Sequence, residues 1–304
     1  MKNELSILIP VYNDVCTDIV SKLLSLCKRR AKHQASFIYE IIVADDASPK
    51  HSTVEANAAI NTMENCRFIV KEQNSGSAAT RNFLARESKY QWLLFLDCDM
   101  QIVSDDFINR YMDDDHEGVV NGGIAIGQGP EGNLRYRYEK SCEEQHTAPM
   151  RQTKPYQSFR STNFLIERNI MLSCPFDERF LKSGYEDVMF GKQLKEAHVT
   201  VTHIDNPTLM VDFEENSAYM DKIDRSLLTL CRFRSELQGF SKIITAEENT
   251  HLNVVKYFVR LWHRLFGSME RRNLCGQHPH IKIFNIYRLG YYFILTNNNK
   301  ETTK

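Results

Sequence analysis

Two aspartates spaced i, i+2 follow directly on an apolar run in the first third of the chain. Residues 92–96 read Trp-Leu-Leu-Phe-Leu, a continuous apolar run of strand length that predicts a buried strand. Asp97 and Asp99 come next, and ligands of open α/β sheets bind beyond the carboxyl ends of the strands. Paired carboxylates supply the oxygen ligands that Mg²⁺ or Mn²⁺ prefers beside a phosphate. The pattern predicts a divalent-metal site at Asp97 and Asp99, with Cys98 between them filling space.

A second pair of acids opens a predicted helix later in the chain, in Gly184-Tyr185-Glu186-Asp187. Acidic residues in the first turn of a helix interact favourably with its dipole, which is one reason for Glu186 and Asp187 to be there. The other reading is catalytic: a carboxylate removes the proton of an attacking hydroxyl, which accelerates a reaction by about 10²–10⁴-fold. The motif alone leaves both readings open.

Two polar turns follow the first two predicted strands. After the first strand, Pro10-Val11-Tyr12-Asn13 is either a plain exit turn or a place where Tyr12 stacks on a flat ring. After the second, Asp45-Asp46-Ala47-Ser48 either caps a helix or accepts an N–H group from a base such as uracil. Neither motif decides between its two readings.

A third turn, residues 74–82, is rich in small and polar side chains. Small residues at a helix start expose backbone N–H groups, which suits a phosphate or another anion, although such a start is also an ordinary structural feature. Arg81 lies one turn inside this helix. From there it reaches either an anion or the aspartate at a strand end.

Alternating periodicities indicate the elements that position these residues. Strand-like segments (5–10, 37–44, 67–70, 92–96) alternate with helical ones (18–32, one starting at a Ser52-x-x-Glu55 capping box, and 77–88). Such alternation predicts βαβ units and a mostly parallel sheet. The glycine-rich region 118–160 predicts a long, partly mobile loop with a helical piece at 136–144 and basic residues at Arg135, Arg137, Lys140, Arg151 and Lys154. Beyond it we expect a strand at 162–166, a helix at 186–196, a strand at 199–204 and only helices from Ala218 onward.

Composition favours a cytoplasmic globular protein. The 304 residues are 42% hydrophobic and 25% charged, which is ordinary for such a protein. We find no secretory signal and no apolar run of the roughly 18 residues that a membrane span needs. The eight cysteines are scattered without a CxxC pair, which argues against a zinc site or a disulfide framework.

The last 54 residues are basic. Residues 251–304 carry nine Lys/Arg and two Asp/Glu, a net charge of +7, whereas the whole chain carries −1. Apolar residues in this region recur at helical spacing beside the basic line Lys256, Arg260 and Arg264: they are Val254, Val255, Phe258, Leu261, Trp262, Leu265 and Phe266. The helix either lies on an anionic membrane or packs on the rest of the protein with its basic line in water. A nucleic-acid partner is not expected, because no binding motif is present and the aromatic spacing is core-like.

Taken together and in order, these motifs resemble the inverting, nucleotide-sugar-dependent glycosyltransferases of family 2. The resemblance covers about residues 4–215 and rests on the motifs at 6–13, 45–48, 74–82, 95–99 and 175–180 with 186–187. It implies a GT-A fold, in which a Rossmann-like, mostly parallel sheet is flanked by helices. The implied catalytic domain spans residues 1–215, followed by a basic, amphipathic helical extension at 216–304.

The resemblance also implies a reaction: a hydroxyl of a glycan or lipid-linked glycan displaces the nucleoside diphosphate of a UDP-sugar in one step. The implied nucleotide pocket consists of Pro10, Tyr12, Asp45, Asp46, Gly76, Arg81 and Asp97, with Asp46 on the uracil N–H. Asp99, with Asp97, would hold Mn²⁺ or Mg²⁺; Asp187 would be the base, and Glu186 would bind the acceptor or orient the site. The enzyme would work in the cytoplasm, peripheral on the inner face of the membrane. The alternative is a catalytically silent relative that scaffolds a membrane glycan-assembly complex.

One position departs from the family pattern. Many related enzymes carry a metal-binding His after the final strand, and Met210 stands at that place here. A thioether is a poor ligand for a hard cation. Asp212 or His203 would then substitute, or Asp99 would hold the metal together with phosphate and water.

Overall fold

A computed structural model describes residues 2–113, 115–181, 184–249 and 253–302 of the chain. The strands in this part are β1 (Glu4–Val11), β2 (Ile38–Asp45), β3 (Cys66–Val70), β4 (Trp92–Leu96), β5 (Met100–Gln101), β6 (Val119–Asn121), β7 (Ile124–Ile126), β8 (Asn163–Glu167), β9 (Val201–His203) and β10 (Thr208–Met210). The α-helices are α1 (Thr17–His33), α2 (His51–Ala58), α3 (Gly76–Glu87), α4 (Phe107–Met112), α5 (Leu134–Cys142), α6 (Ala148–Gln152), α7 (Arg168–Ser173), α8 (Glu186–Glu196), α9 (Asn216–Arg232), α10 (Lys242–Asn249), α11 (Asn253–Leu274) and α12 (Ile281–Thr302).

Seven strands form one mostly parallel sheet in the order β3-β2-β1-β4-β8-β6-β9. Strand β8 runs antiparallel to both of its neighbours, and the other pairs are parallel. A second, three-stranded sheet has the order β5-β10-β7. The predicted α/β architecture with a mostly parallel sheet is confirmed.

The sheet is buried on both faces because its central strands are apolar at nearly every position. In β1, Leu5, Ile7 and Ile9 point to the face covered by α1 and α4, whereas Leu8 points to the face covered by α3, α7 and α8. Since β2, β1 and β4 run parallel, the residues after Asp45, Val11 and Leu96 emerge at one edge of the sheet. That edge carries the predicted site.

The glycine-rich region 118–160 is more regular than the sequence predicts. It contributes β6 to the main sheet, β7 to the small sheet, and helices α5 and α6. Both strands are only three residues long, too short to leave a clear periodicity in the sequence. The predicted Ser52–Glu55 capping box is also absent, because α2 begins at His51 and Ser52 lies inside the helix.

The C-terminal helices pack on the sheet domain in two apolar clusters. In one, Phe180 and Met189 contact Leu227 of α9 and Tyr292 of α12. In the other, Leu134 of α5 contacts apolar side chains of α9 and α12. The apolar stripe predicted in α11 does not join either cluster, since most of its side chains are exposed. The division of the chain at residue 215 therefore remains a prediction, with extensive contacts across it.

Candidate active site

A cleft of about 650 Å³ opens at the carboxyl edge of β1, β2 and β4. Pro10 and Tyr12 line it after β1, Asp46 after β2, and Asp97 to Asp99 after β4. The first turns of α3 and α8 complete one wall, and the other walls come from α5 and α9, whose cleft-lining side chains are Arg135, Lys222 and Arg225. Residues distant in sequence by as much as two hundred positions thus meet in a single polar cavity.

The Asp97-Cys98-Asp99 motif lies on the floor of the cleft. Arg81 donates from Nη2 to Oδ1 of Asp97 at 2.6 Å, so of the two partners that the sequence leaves open for this arginine, it contacts the strand-end aspartate. Asp99 has no such partner in the hydrogen bonds of the described chain. Burial and the Asp97 carboxylate raise the pKa of Asp99 to about 6, against the opposing effect of Arg135 and Lys222. The Asp99 carboxylate is therefore partly desolvated and lies beside a second negative charge.

The two aspartates at the end of β2 have structural partners. Asp45 is fully buried, does not line the cleft, and accepts from Ser48 N at 2.8 Å and Ser48 Oγ at 2.6 Å. Asp46 does line the cleft, but its carboxylate accepts from Lys71 Nζ at 2.6 Å and from the backbone N–H groups of Ser75 and Gly76 at 3.0 and 2.8 Å. Burial acts to raise the pKa of Asp46, yet the bonds from Lys71 and Ser75 lower it overall.

These contacts bear on two expectations. Asp45 shapes the turn after β2 and does not line the cleft, contrary to its predicted place in the nucleotide pocket. Asp46 lines the cleft and also caps the N-terminus of α3. Its contact with the uracil N–H therefore stays a prediction, beside a structural role that needs the same residue type at the same strand end.

Gly76 also lines the cleft, and its backbone explains why no other residue fits there. Its φ is +84°, and a Cβ at this position would stand 2.6 Å from the carbonyl oxygen of Leu181. The N–H group of Gly76 is already bound to Asp46. The predicted anion site at the start of α3 therefore has one backbone donor fewer than the sequence suggests.

Glu186 and Asp187 begin α8 beside the start of α3. The preceding turn is unusual: Gly184 has φ +124°, and Tyr185 has a left-handed φ of 70°. Glu186 is buried and accepts from Ser77 Oγ at 3.1 Å and from Gly184 N at 2.6 Å. These bonds fix the turn and leave Glu186 oriented by protein groups.

Asp187 is held less tightly and lines the cleft. Its Oδ1 accepts from the N–H of Val188 at 2.8 Å. Burial and the neighbouring Glu186 raise the pKa of Asp187 to about 6, while Arg160 and Arg81 act in the opposite direction. A carboxylate with a raised pKa is a stronger base than an ordinary aspartate and is still ionised at neutral pH.

The tyrosine after β1 is placed for stacking. Tyr12 is 49% exposed and lies on the cleft wall next to Pro10. Asn13 then takes a positive φ of 56° and is anchored by Ser48 Oγ, which accepts from Asn13 N at 2.7 Å. The aromatic ring thus stands on a fixed turn, partly exposed at the edge of the cleft.

The cleft offers few protein ligands to a divalent metal. Within the described ranges, no group of three or more His, Cys, Asp or Glu side chains converges as a metal site. Asp97 and Asp99 remain as two carboxylates at a strand end, which suits Mg²⁺ or Mn²⁺ held jointly with substrate phosphate and water. These two carboxylates suit a metal that binds together with the nucleotide's phosphates.

The residues considered as substitutes for the missing histidine do not complete that set. Met210 is buried in an apolar cluster with Met100 and Ile126. His203 is buried, with Nδ1 bonded to Arg151 at 2.8 Å and Nε2 to the carbonyl of Pro155 at 2.9 Å, and burial lowers its pKa to about 4. Asp212 is exposed and does not line the cleft. Of the three options, the metal held by Asp99 with phosphate and water is the one left.

Sequence reasoning missed three cations of the cleft. Arg135 of α5 and Lys222 of α9 both pair with Glu214, the lysine at 3.5 Å, and both face Asp99 closely enough to hold down its pKa. Arg225 lies one turn further along α9. The basic character of region 118–160 was a visible signal for Arg135, whereas nothing in the sequence placed α9 at the cleft.

Comparisons with known proteins agree with this geometry. The family model "Glycosyl transferase family 2" matches residues 6–181. An uncharacterized glycosyltransferase of Haemophilus influenzae is 26% identical over 98% of this chain and 91% of the relative. Chondroitin synthase of Escherichia coli is 25% identical over 62% of this chain but only 32% of the synthase, and a poly(ribitol-phosphate) β-glucosyltransferase of Bacillus spizizenii is 33% identical over 36% and 17%.

Solved structures share the fold at low sequence identity. A mannosyltransferase from Pyrobaculum calidifontis, in complex with GDP-Man and Mn²⁺, has a TM-score of 0.55 at 14% identity and covers 100% of this chain and 88% of its own. Residues 1–349 of TarS from S. aureus, in complex with UDP, have a TM-score of 0.50 at 15% identity and cover 99% and 92%. Because the family model spans more than half of the chain, including the strand ends that build the cleft, the protein belongs to glycosyl transferase family 2.

Proposed function

We propose that the protein is an inverting glycosyltransferase that moves a sugar from a UDP-sugar to a hydroxyl of a glycan or lipid-linked glycan. One observation carries the proposal: the Asp97–Asp99 carboxylates and the basic Asp187 carboxylate line one cleft. This arrangement separates a place for the leaving diphosphate from a base for the incoming hydroxyl. The intact carboxylates argue against the alternative of a silent scaffold.

The donor class follows from the cleft and from the relatives. Tyr12 offers an exposed ring on which a base can stack, and Arg81 keeps a buried Nη1 group that has no partner in the described part of the chain. Structures of this fold have been solved with UDP, with UDP-GlcNAc and with GDP-Man. We take a UDP-sugar as the donor and GDP-mannose as the comparison that the experiment must include.

Positive charge at the diphosphate is the first requirement of the reaction. Asp99, with Asp97, would hold Mn²⁺ or Mg²⁺ there, and the metal would supply charge neutralisation of the leaving group. Arg135 and Lys222 act on Asp99, and with Arg225 of the same cleft they provide positive charge from the protein itself. The described residues provide no third protein ligand for the metal. We therefore expect these cationic side chains to neutralise a larger share of the diphosphate's negative charge.

Asp187 performs the proton transfer. The acceptor hydroxyl gives its proton to the Asp187 carboxylate as its oxygen forms a bond to the anomeric carbon. The bond from that carbon to the diphosphate oxygen breaks at the same time, and the electron pair leaves with the nucleoside diphosphate. Glu186, fixed by Ser77 and Gly184, orients the turn that carries Asp187. A single displacement of this kind inverts the anomeric centre.

The acceptor and its location follow from the family and the charge pattern. Two of the relatives are named for polymers, chondroitin and poly(ribitol phosphate), which supports a glycan acceptor. No helix in the described residues is long and apolar enough to cross a membrane. We propose a cytoplasmic enzyme that works peripherally at the inner membrane face, where lipid-linked acceptors are found.

The experiment is nucleotide release from a panel of UDP-sugars and GDP-mannose, with Mn²⁺, with Mg²⁺ and with EDTA. Release from one UDP-sugar that requires metal and is lost in Asp99→Ala would support the proposal and name the sugar. Release from GDP-mannose alone would overturn the UDP assignment. Absence of release from every donor, together with absence of UDP binding by calorimetry, would overturn the enzymatic proposal.

A further inference from the structure

Helix α11 presents an apolar face to solvent. The residues of this α11 face are exposed by 37–65% of their surface: Val254, Val255, Phe258, Leu261, Trp262, Leu265 and Met269. They recur at three- and four-residue intervals, so they lie along one side of the helix over about 22 Å. Large exposed apolar patches of this kind mark interaction sites in soluble proteins.

Buried side chains on the opposite side of α11 keep the apolar α11 face turned toward solvent. His263 and Glu270 are buried there, with His263 Nδ1 2.6 Å from Glu270 Oε2. Trp262 donates from its ring N–H to Glu270 Oε1 at 2.8 Å, so the polar group of this tryptophan is satisfied by the protein. Its ring, half exposed and packed on Phe266 at 4.4 Å, is left free for an apolar contact.

The charges around the α11 face are positive. Arg264 and Arg272 are exposed beside it, and neither forms an ion pair within the described residues. The one acid of α11, Glu270, is buried against His263. A second copy of the same face would offer these arginines no exposed acid of α11. An anionic surface would instead pair with both arginines.

We propose that the α11 face is a membrane-docking surface that inserts into the headgroup region of an anionic bilayer. This inference rests on the proposed membrane location of the enzyme and assigns the surface and the lipid charge that produce it. Apolar side chains with flanking arginines are the composition of interfacial helices, and tryptophan favours the depth where one end of its ring meets water. The docked helix lies in the plane of the interface.

Docking of α11 would also set the position of the cleft relative to the membrane surface. Arg271 of α11 pairs with Asp221 and Asp224 of α9, whose Lys222 and Arg225 line the cleft. The α11 face and the cleft wall are therefore joined through one helix. An acceptor carried on a lipid would be held at a fixed height relative to Asp187.

The test uses the full chain and vesicles of phosphatidylcholine with or without phosphatidylglycerol, followed by co-sedimentation and tryptophan fluorescence. The chain has two tryptophans, and Trp92 is 7% exposed in β4, so a blue shift on binding reports on Trp262. We expect binding and a blue shift with the anionic vesicles, weakened by added salt. Trp262→Phe should abolish the shift.

Two sets of variants locate the contact. Phe258→Ser/Leu265→Ser should weaken binding by about tenfold for each side chain, and Arg264→Gln/Arg272→Gln by about fivefold for each charge. The matched control, Val70→Ser/Val103→Ser, changes apolar residues of similar exposure away from α11 and should bind as the parent does. All these side chains are exposed or lie outside the core, so the variants should fold.

Equal binding to neutral and anionic vesicles, or no binding to either, would overturn the proposal. So would a dimer of the parent protein in light scattering that Phe258→Ser/Leu265→Ser dissolves while vesicle binding is absent. Calorimetry of UDP with the same variants keeps the two proposals apart. Vesicle binding without any UDP binding would support the docking surface and refute the proposed UDP-dependent enzyme. UDP binding without vesicle binding would refute the docking surface and leave the proposed enzyme in place.

Discussion

Replacing Asp187 by asparagine should greatly reduce sugar transfer and make the protein more stable. The carboxylate has a pKa of about 6 against an ordinary 3.8, because burial and Glu186 disfavour its charge. A pKa raised by about 2 means that the folded protein disfavours the charged form of the side chain, relative to the neutral form, by about 3 kcal/mol. Asparagine keeps the size of the side chain and an oxygen for the N–H of Val188, but it carries no charge and cannot take a proton.

The sign of the stability change depends on pH. A raised pKa in the folded protein means that stability is lost as the pH rises from about 4, where the unfolded chain ionises, and that the loss is complete above about pH 6. Asp187→Asn should therefore increase the free energy of unfolding by up to about 3 kcal/mol at pH 7, and by only about 1 kcal/mol at pH 4.5, where the folded parent already holds the proton. Urea denaturation at the two pH values measures the difference.

Catalysis should change in the opposite direction. Loss of the base should reduce transfer by about 10²–10⁴-fold, with UDP affinity retained. In the parent protein, transfer should fall about tenfold for each pH unit below about 6, since only the ionised carboxylate accepts the proton. Retained transfer in Asp187→Asn would remove Asp187 as the base. Unchanged stability at pH 7 would refute the argument from burial.

Three further variants test the rest of the cleft. Asp99→Ala should remove the metal dependence of UDP-sugar binding in calorimetry, and an unaltered response to EDTA would contradict the metal assignment. Asp46→Asn should destabilise the protein by about 3–5 kcal/mol in urea denaturation, because it leaves the largely buried Lys71 without its counter-charge, whereas the exposed Asp105→Asn should unfold at the same urea concentration as the parent. Normal stability of Asp46→Asn with lost UDP affinity would favour the base-binding role over the structural one. Lys222→Ala should weaken UDP binding about tenfold in EDTA and less with Mn²⁺; equal losses in both would show that the lysine does not share the charge of the metal.

The sequence predicted secondary structure best where a segment had a single clear pattern of apolar residues. Strand β4 and helix α8 have the bounds that their sequences predict, because a continuous apolar run and a helical pattern leave little choice. The polar residues that end parallel strands were brought together as expected, since parallel strands share one carboxyl edge. This is why Pro10, Asp46 and Asp97 meet in one cleft.

Contacts between distant elements could not be predicted in the same way. The three-residue strands β6, β7 and β10 depend on pairing partners elsewhere in the chain. The capping role of Asp46 could not be predicted, because it depends on the positions of Ser75 and Gly76, which lie about thirty residues further along the chain. Lys222 reached the cleft because α9 packs on α8 through an apolar cluster that no local pattern encodes.

The most direct test of the proposed reaction is the anomeric configuration of the sugar that the enzyme releases. Proton NMR can follow the first minutes of slow hydrolysis of an α-linked UDP-sugar, with water as the acceptor and before the free sugar equilibrates. A single displacement assisted by Asp187 predicts that the β anomer appears first and that Asp187→Asn releases none. The α anomer appearing first would contradict the single displacement and the role of Asp187 in it.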